Sequence, residues 1–408
     1  MKRVSAAKRP RPVASRAFTL GSLALGHSVI HWYQQTFYVI LPEVRTALAL
    51  NAVQVGALST VRALSGGIVN MPAGLITDLF RRHWSVILAM SMAWIGLAYL
   101  LVGAAPTFAL ALPAIALVGA GGAIWHPPAI STLSLRFADR RGLALSLHGV
   151  GGSLGDTLAP LAVGAILIAI SWRTLLRINA LPAVALALLI LWALRNIYAS
   201  EGPRPTIKTY FGSLGTLVRN RSILFLLLIG SIRAMGQQGL LTFLPIYMRD
   251  ELHFNTAILG LHLSFLTLLG MGSQPVMGFL SDRFGRKAVL APGMLLLGLL
   301  TLALVMVGGG FKFTLVIILL GLFVYALQAI FLATALDLTG KGVEAATVGL
   351  FFGMNQLVGS ISPLIAGALV EAYDLRAAFL YIAAVFLLAA FLFMFLPLKR
   401  TVKVPANP

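Results

Sequence analysis

The chain has no cysteine, which excludes disulfides, thiolate metal sites and cysteine nucleophiles. Charge is scarce as well: 11% of the 408 residues are Asp, Glu, Lys or Arg, where a soluble protein has about a quarter. Acids are the scarcer sign, 12 against 31 Lys and Arg, for a formal net charge of +19. Too little polar surface remains to cover a water-soluble particle of this length, so lipid must face much of the exterior. The positive charge does not gather on one amphipathic face, as nucleic-acid binding would require. It sits in short connectors and at both tails, the positive-inside pattern of an inner (cytoplasmic) membrane protein. A lipid bilayer is therefore an expected partner and nucleic acid is not. No extramembrane stretch is long enough to form a separate domain.

What is present is apolar: 59% of residues are hydrophobic. A hydrocarbon core of ~30 Å needs ~20 helical residues to cross it. Twelve apolar stretches meet that length, near 17–42, 52–77, 84–103, 108–135, 143–170 and 174–195, then 222–247, 256–280, 288–307, 313–336, 345–370 and 376–397. The expected fold is an all-α polytopic membrane protein with twelve transmembrane helices. The first sixteen residues include six Lys or Arg and could open a signal peptide. The apolar stretch from Ala17 to Leu41 is too long for that, and no cleavage site follows. Residues 1–16 read instead as a basic cytoplasmic tail.

Charge then sets the orientation. Arg81 and Arg82, then Arg136, Arg140 and Arg141, then Arg204, Lys208 and Arg219, then Arg283, Arg286 and Lys287 fall in alternate connectors. Lys399, Arg400 and Lys403 fall in the final tail, residues 399–408. The opposite connectors hold only scattered charges such as Arg45 and Arg249. Both termini are expected in the cytoplasm.

The chain repeats itself at half its length. Gly74-x-x-x-Asp78-x-x-Arg81-Arg82 returns 204 residues later as Gly278-x-x-x-Asp282-Arg283-x-Gly285-Arg286-Lys287. Gln34-Gln35 before Leu41-Pro42 echoes Gln237-Gln238 before Leu244-Pro245. Gly56 pairs with Gly260, Pro160 with Pro363 and Gly164 with Gly367. Two six-helix bundles follow, residues 17–196 and 221–398, joined by a cytoplasmic linker at 197–220. Six crossings each make them parallel repeats about an axis along the membrane normal, an arrangement found mainly in secondary transporters.

The second copy of the loop motif matches the one between helices 2 and 3, and again between 8 and 9, of the major facilitator superfamily, which the chain resembles. The first copy departs, with Leu79 in place of a basic residue and Arg81 in place of Gly. A narrower resemblance, to the fosmidomycin-resistance branch of efflux transporters, rests on Gly119 to Pro127, with His126-Pro127, and on Arg141 to Pro160, with Gly149, Gly151, Gly152 and Gly155. These resemblances imply alternating access, small-molecule cargo and proton-coupled drug or metabolite efflux (an antiporter).

The motif residues have a physical role open to them. Asp78 or Asp282 at a helix end, facing Arg81, Arg82, Arg283, Arg286 or Lys287, can form charge-assisted hydrogen bonds that latch one conformation. The alternative is that the basic residues only set topology.

Ionisable groups at membrane depth are costly and mark pathways. His27 and His31 share one face of helix 1, with Gln34 and Tyr38 continuing the stripe. Arg62, His126, Arg233 and Gln237 complete the candidate substrate site. The two arginines suit an anionic group, since a forked guanidinium matches two oxygens at once; alternatively Asp156 neutralises them. Asp156 is also the candidate proton-coupling residue, as the one carboxylate near mid-membrane in the first half.

His126 reads equally as pore-lining or as a structural residue bonding carbonyls freed by Pro127 and Pro128. His27 and His31 have metal-like spacing, but helix 1 offers no acid beside them, so a polar stripe rather than a metal is expected. Trp32, Tyr33 and Phe37 could line the outer cavity, but near a helix end they read rather as interfacial anchors. No cofactor is expected, nor enzyme chemistry, because no nucleophile and base can be placed together. The expected protein is a monomeric carrier of a small anionic or zwitterionic compound. An importer of organic anions or phosphorylated metabolites, and a non-transporting receptor or assembly factor, are the alternatives.

Overall fold

The computed structural model describes residues 15–194, 207–339 and 343–397. The outer tails and linker residues 195–206, with Arg204, Lys399, Arg400 and Lys403, lie outside them. In chain order the helices are α1 (Arg16–Ala47), α2 (Ala52–Leu79), α3 (Trp84–Ala104), α4 (Phe108–Ala123), α5 (His126–Arg136), α6 (Arg141–Ile166), α7 (Trp172–Ala193) and α8 (Ile207–Arg219). They continue as α9 (Arg221–Asp250), α10 (Thr256–Phe284), α11 (Arg286–Leu304), α12 (Phe311–Val324), α13 (Ala326–Thr339), α14 (Glu344–Gly359), α15 (Ile361–Ala372) and α16 (Leu375–Met394). Among the described residues, ten helical stretches are long and apolar enough to cross a membrane. Helices α1 and α6, of 32 and 26 residues, are long enough but are not among the ten. They are also the two that carry His27, His31, Gln34 and Gln35, and His148 and Asp156.

Local chemistry places the boundaries. Asn51 caps α2 through Gln54 in a reciprocal capping box, and Asn220, Asn255 and Asp374 accept the first amide protons of α9, α10 and α16. Three expected spans are interrupted. The break between α4 and α5 falls just before Pro127 and Pro128, which lack the amide hydrogen a continuous helix needs. Breaks at Tyr325 and Ser360 divide α12 from α13 and α14 from α15.

The sequence echo proves to be the interface between halves. Helices α1 to α7 pack chiefly among themselves, as do α9 to α16, and the two sets meet where α2 crosses α14 and α15 and α6 crosses α10. A Cβ on Gly56 of α2 would lie 2.3 Å from the Pro363 carbonyl oxygen of α15. One on Gly260 of α10 would lie 2.2 Å from the Pro160 carbonyl oxygen of α6. Gly367 meets Ala52 and Gly164 meets Thr256 in the same way, each at 2.4 Å. Small residues let backbones approach this closely. We expect Gly260→Val to overpack this seam and cost about 1–3 kcal/mol of stability. Thermal unfolding of the purified protein measures it, with Gly272→Ala, whose Cβ would meet nothing within 4 Å, as the neutral control.

The two ends differ. At the end bearing the repeated loops, Asp78 lies 3.4 Å from Arg81, and Asp282 lies 2.6 Å from Arg286, which also reaches Asp337 at 3.0 Å. Each of these pairs lies within one half. Arg16 also pairs with Asp139 there, and that hydrogen bond holds the Asp139 carboxyl below its ordinary value. At the opposite end the ion pairs cross between halves: Arg45 with Asp250, and Arg249 with Glu43 at 3.3 Å. Glu371 of α15 accepts the amide proton of Ala52, the first residue of α2.

Candidate substrate and coupling cavity

A cavity of about 1400 Å³ lies between the halves. Gly74, Asp78 and Arg141 line its wall toward the repeated loops, and no residue of the crossing ion pairs lines it. His27, His31, Gln34, Tyr38, Arg62, His126, Asp156, Arg233 and Gln237 all line it. The whole candidate substrate set and the candidate coupling residue thus face one space.

The arginines are held differently. Arg62 of α2 is half-buried and donates to the Tyr38 hydroxyl, with its guanidinium carbon 4.5 Å from the Phe37 ring centre and 4.8 Å from that of Tyr38. Tyr38 donates in turn to Gln238 of α9 at 3.1 Å, tying the halves together. Arg233 of α9 is 1% exposed and donates to Gln237 at 2.9 Å and to the Val324 carbonyl at 3.4 Å. The Nε of each arginine is buried without a hydrogen-bond partner. Among the described residues no carboxylate forms an ion pair with either guanidinium.

Asp156 is engaged elsewhere. One carboxylate oxygen lies 2.9 Å from His31 Nδ1, and the other accepts from Gln35 Nε2 at 2.9 Å. The alternative that Asp156 neutralises Arg62 or Arg233 is therefore corrected. The acid that helix 1 lacks in sequence is supplied in space by α6. Gly151 and Gly155 explain the approach: a Cβ there would fall 2.4 Å and 2.1 Å from the carbonyl oxygens of Ala24 and Ser28 on α1. Asp156 also sits on the seam, its carbonyl accepting from Thr267 of α10 at 3.1 Å.

The histidines form a cluster. His27 Nδ1 lies 2.8 Å from the His148 carbonyl oxygen, and the two rings stack with centroids 4.0 Å apart. His126 lies 5.2 Å from His27 and 5.9 Å from His31 between ring centroids. Among the described residues no hydrogen bond joins its ring to a freed carbonyl, so the pore-lining reading fits it better. His262, by contrast, is a satisfied core histidine between the Ile258 carbonyl and Thr314.

The motif loops differ as their sequences do. Gly285 has φ +94°, a backbone region closed to side chains, and it ends α10. The first copy has Arg81 there and turns through a 3₁₀ segment, Arg81–His83, instead. Arg283 leans over Phe284 and Lys287 donates to the Met394 carbonyl at 2.8 Å, so neither joins Asp282. Arg82 is exposed, and a Cβ on Gly74 or Gly278 would meet open space. Tyr33 and Phe37 are buried at 1% and 2% exposure, which corrects their reading as interfacial anchors. Glu43 and Asp250 are not singled out by the sequence, and Gln35 and Gln238 enter there only as part of the half-chain repeat, not as site residues. Their signal lay beside residues already singled out: the second amide of each Gln pair, and the charges following each Leu-Pro.

A helical membrane fold enclosing a charged polar cavity between two repeated halves is that of a small-molecule transporter. The chain belongs to the Major Facilitator Superfamily, whose family model matches residues 23–363 and 226–408. It is 26% identical, over 96% of this chain and 98% of that protein, to the fosmidomycin resistance protein of Escherichia coli (strain K12). Its fold is shared with a bacterial homolog of the human lysosomal transporter Spinster, solved inward-facing and unoccupied, at TM-score 0.81 and 18% identity over 97% of this chain and 100% of that one. A mutant of the nucleoside transporter NupG matches at TM-score 0.82 and 15% identity, over 93% and 99% of the two chains.

Proposed function

We propose that the protein is a secondary active transporter moving a small anionic or zwitterionic compound across the inner membrane by alternating access, coupled to protons and working as an exporter. The observation that carries this reading is the pair Arg62 and Arg233. Each half contributes one, both face the same cavity, and neither has a carboxylate partner among the described residues. An unpaired buried cation is costly, and an anionic ligand offsets that cost. One guanidinium from each half lets a single anion draw the halves together, as closure of a carrier needs. A phosphonate, phosphate or carboxylate matches the fork.

In this reading α1 and α6 are membrane spans, giving twelve, in two six-helix bundles at 17–196 and 221–398. Positive-inside charge puts the repeated loops and both termini in the cytoplasm. The crossing ion pairs at the Arg45 end and the cavity wall at the Asp78 end together describe a carrier open to the cytoplasm. Asp78 and Asp282 with their basic partners steady the loops, and Asp337 joins the second copy through Arg286. Asp156 carries the proton, since it is the one carboxylate among the residues of the cluster and it sits on the moving seam. Likeness to a resistance protein supports export. The carrier works as a monomer. The test is phosphonate uptake by membrane vesicles: an acid lumen drives accumulation in everted vesicles if protons leave as the cargo enters, as the reading requires, whereas accumulation in right-side-out vesicles driven only by an acid exterior marks a proton-symporting importer.

The crossing pairs give a second expectation. Exposed ion pairs contribute up to about 1 kcal/mol each, so removing both with Arg45→Gln and Arg249→Gln shifts the balance between the two openings by up to about 30-fold. The absence of cysteine makes the measurement clean: a single Gln34→Cys variant is labelled by an impermeant thiol reagent from one side only. Labelling from the Arg45 side rises severalfold in the double variant; no change removes the latch role.

A further inference from the structure

His27 and His31, one helical turn apart on α1, and His126, the first residue of α5, each offer a ring nitrogen within 4.8 Å of the others. Ring centroids lie 4.5, 5.2 and 5.9 Å apart. A tetrahedral ion with metal–nitrogen distances of about 2.0–2.1 Å holds ligand nitrogens about 3.4 Å apart and ring centroids about 5 Å apart. The rings are thus already at metal spacing, and the nitrogens need to close by little more than about 1 Å.

Two independent features point the same way. In metal sites, a ligating imidazole fixes its tautomer by bonding its other nitrogen to a carboxylate or a carbonyl. His31 does this with Asp156 at 2.9 Å and His27 with the His148 carbonyl at 2.8 Å, both through Nδ1, which leaves Nε2 as the ligating nitrogen. Gly152 makes room for the His27 ring: a Cβ there would lie 2.6 Å from its Cε1 and 3.0 Å from its Nε2. We propose that His27, His31 and His126 form a binding site for one divalent transition-metal ion of the zinc class, oriented by Asp156 and opening on the cavity. Three histidines leave a fourth coordination position, and imidazole ligands favour Zn²⁺, Co²⁺, Ni²⁺ and Cu²⁺ over Mg²⁺ or Ca²⁺. That fourth position would accept an anionic oxygen from the cavity side. The site does not depend on the Arg62 and Arg233 reading, because metal binding is read without any transported compound.

The test uses full-length protein with any polyhistidine tag removed, titrated with Co²⁺ and then Zn²⁺. The visible bands of tetrahedral Co²⁺ report geometry, and Zn²⁺ displacement reports affinity. One Co²⁺ per chain with intense tetrahedral bands, displaced by Zn²⁺, is the expected result. His31→Ala and His126→Ala lower affinity at least about 100-fold, Asp156→Asn about 10- to 100-fold, and His262→Ala leaves it unchanged. Gly152→Ala removes no ligand yet weakens binding by displacing His27, which keeps the test decisive if a histidine variant fails to fold. Absence of tetrahedral bands in the wild-type protein, or bands untouched by Gly152→Ala, Asp156→Asn and both histidine variants, overturns the proposal.

Discussion

Arg233→Gln is expected to weaken binding of an anionic ligand by about 10- to 100-fold, the loss of one charge-assisted interaction of about 1.5–3 kcal/mol. The unliganded protein is expected to unfold at the same temperature or higher. The two outcomes belong together. Arg233 is 1% exposed and, among the described residues, bonds Gln237 and a backbone carbonyl and lies 5.9 Å from the Phe331 ring centre, so in the empty carrier its charge is a desolvation cost with no carboxylate to offset it. A structural arginine behaves the opposite way, since its removal lowers stability. Arg233→Lys retains charge but loses the fork, and is expected to recover only part of the binding. Arg62→Gln gives a loss of the same order, with a smaller effect on stability because Arg62 is half-buried over Phe37 and Tyr38. Thermal unfolding with and without a phosphonate, with equilibrium binding on the same samples, reads both quantities.

Asp156→Asn is expected to abolish accumulation against a gradient while leaving exchange of compound across the membrane. One pH unit is worth 1.36 kcal/mol per proton, so a carrier moving one proton per cycle concentrates its cargo about tenfold per unit. With Asn at 156 the ratio falls to about one. Asn keeps the shape of the side chain and can bond Gln35 and His31, so the seam with α10 survives and the loss is one of coupling. Proteoliposomes with an imposed pH gradient, followed by a counterflow assay on the same preparation, separate the two. Unchanged gradient-driven accumulation would remove Asp156 from the coupling path.

Much of the cavity was legible because lipid makes buried charge conspicuous. In a helix otherwise built of Leu, Ala and Gly, each of His27, His31, Arg62, Asp156 and Arg233 stands out, and cost alone predicts that they face an interior. The half-chain echo was legible too, and its meaning sharpened: Gly56, Gly260, Pro160 and Pro363 repeat because they form the two seams where backbones touch. Pairing between helices was not legible. Nothing in the spacing of α1 and α6 places Asp156 beside His31 rather than Arg62, because that proximity comes from Gly151 and Gly155 admitting α1 at backbone distance. Gln35 was passed over because the helical stripe runs through His27, His31, Gln34 and Tyr38, while Gln35 is turned toward α6. Arg45 and Arg249 looked like scattered charges because their partners, Asp250 and Glu43, lie half a chain away.

Arg62 and Arg233 together make the cavity an anion site. The most direct test is ligand-induced thermal stabilisation of the purified protein across phosphonates, phosphorylated metabolites and lipophilic cationic drugs, repeated on Arg233→Gln. At least one anionic class is expected to raise the unfolding temperature of the wild-type protein, and the rise is expected to disappear in the variant. Stabilisation by cationic drugs alone, undiminished in Arg233→Gln, would contradict an anion site.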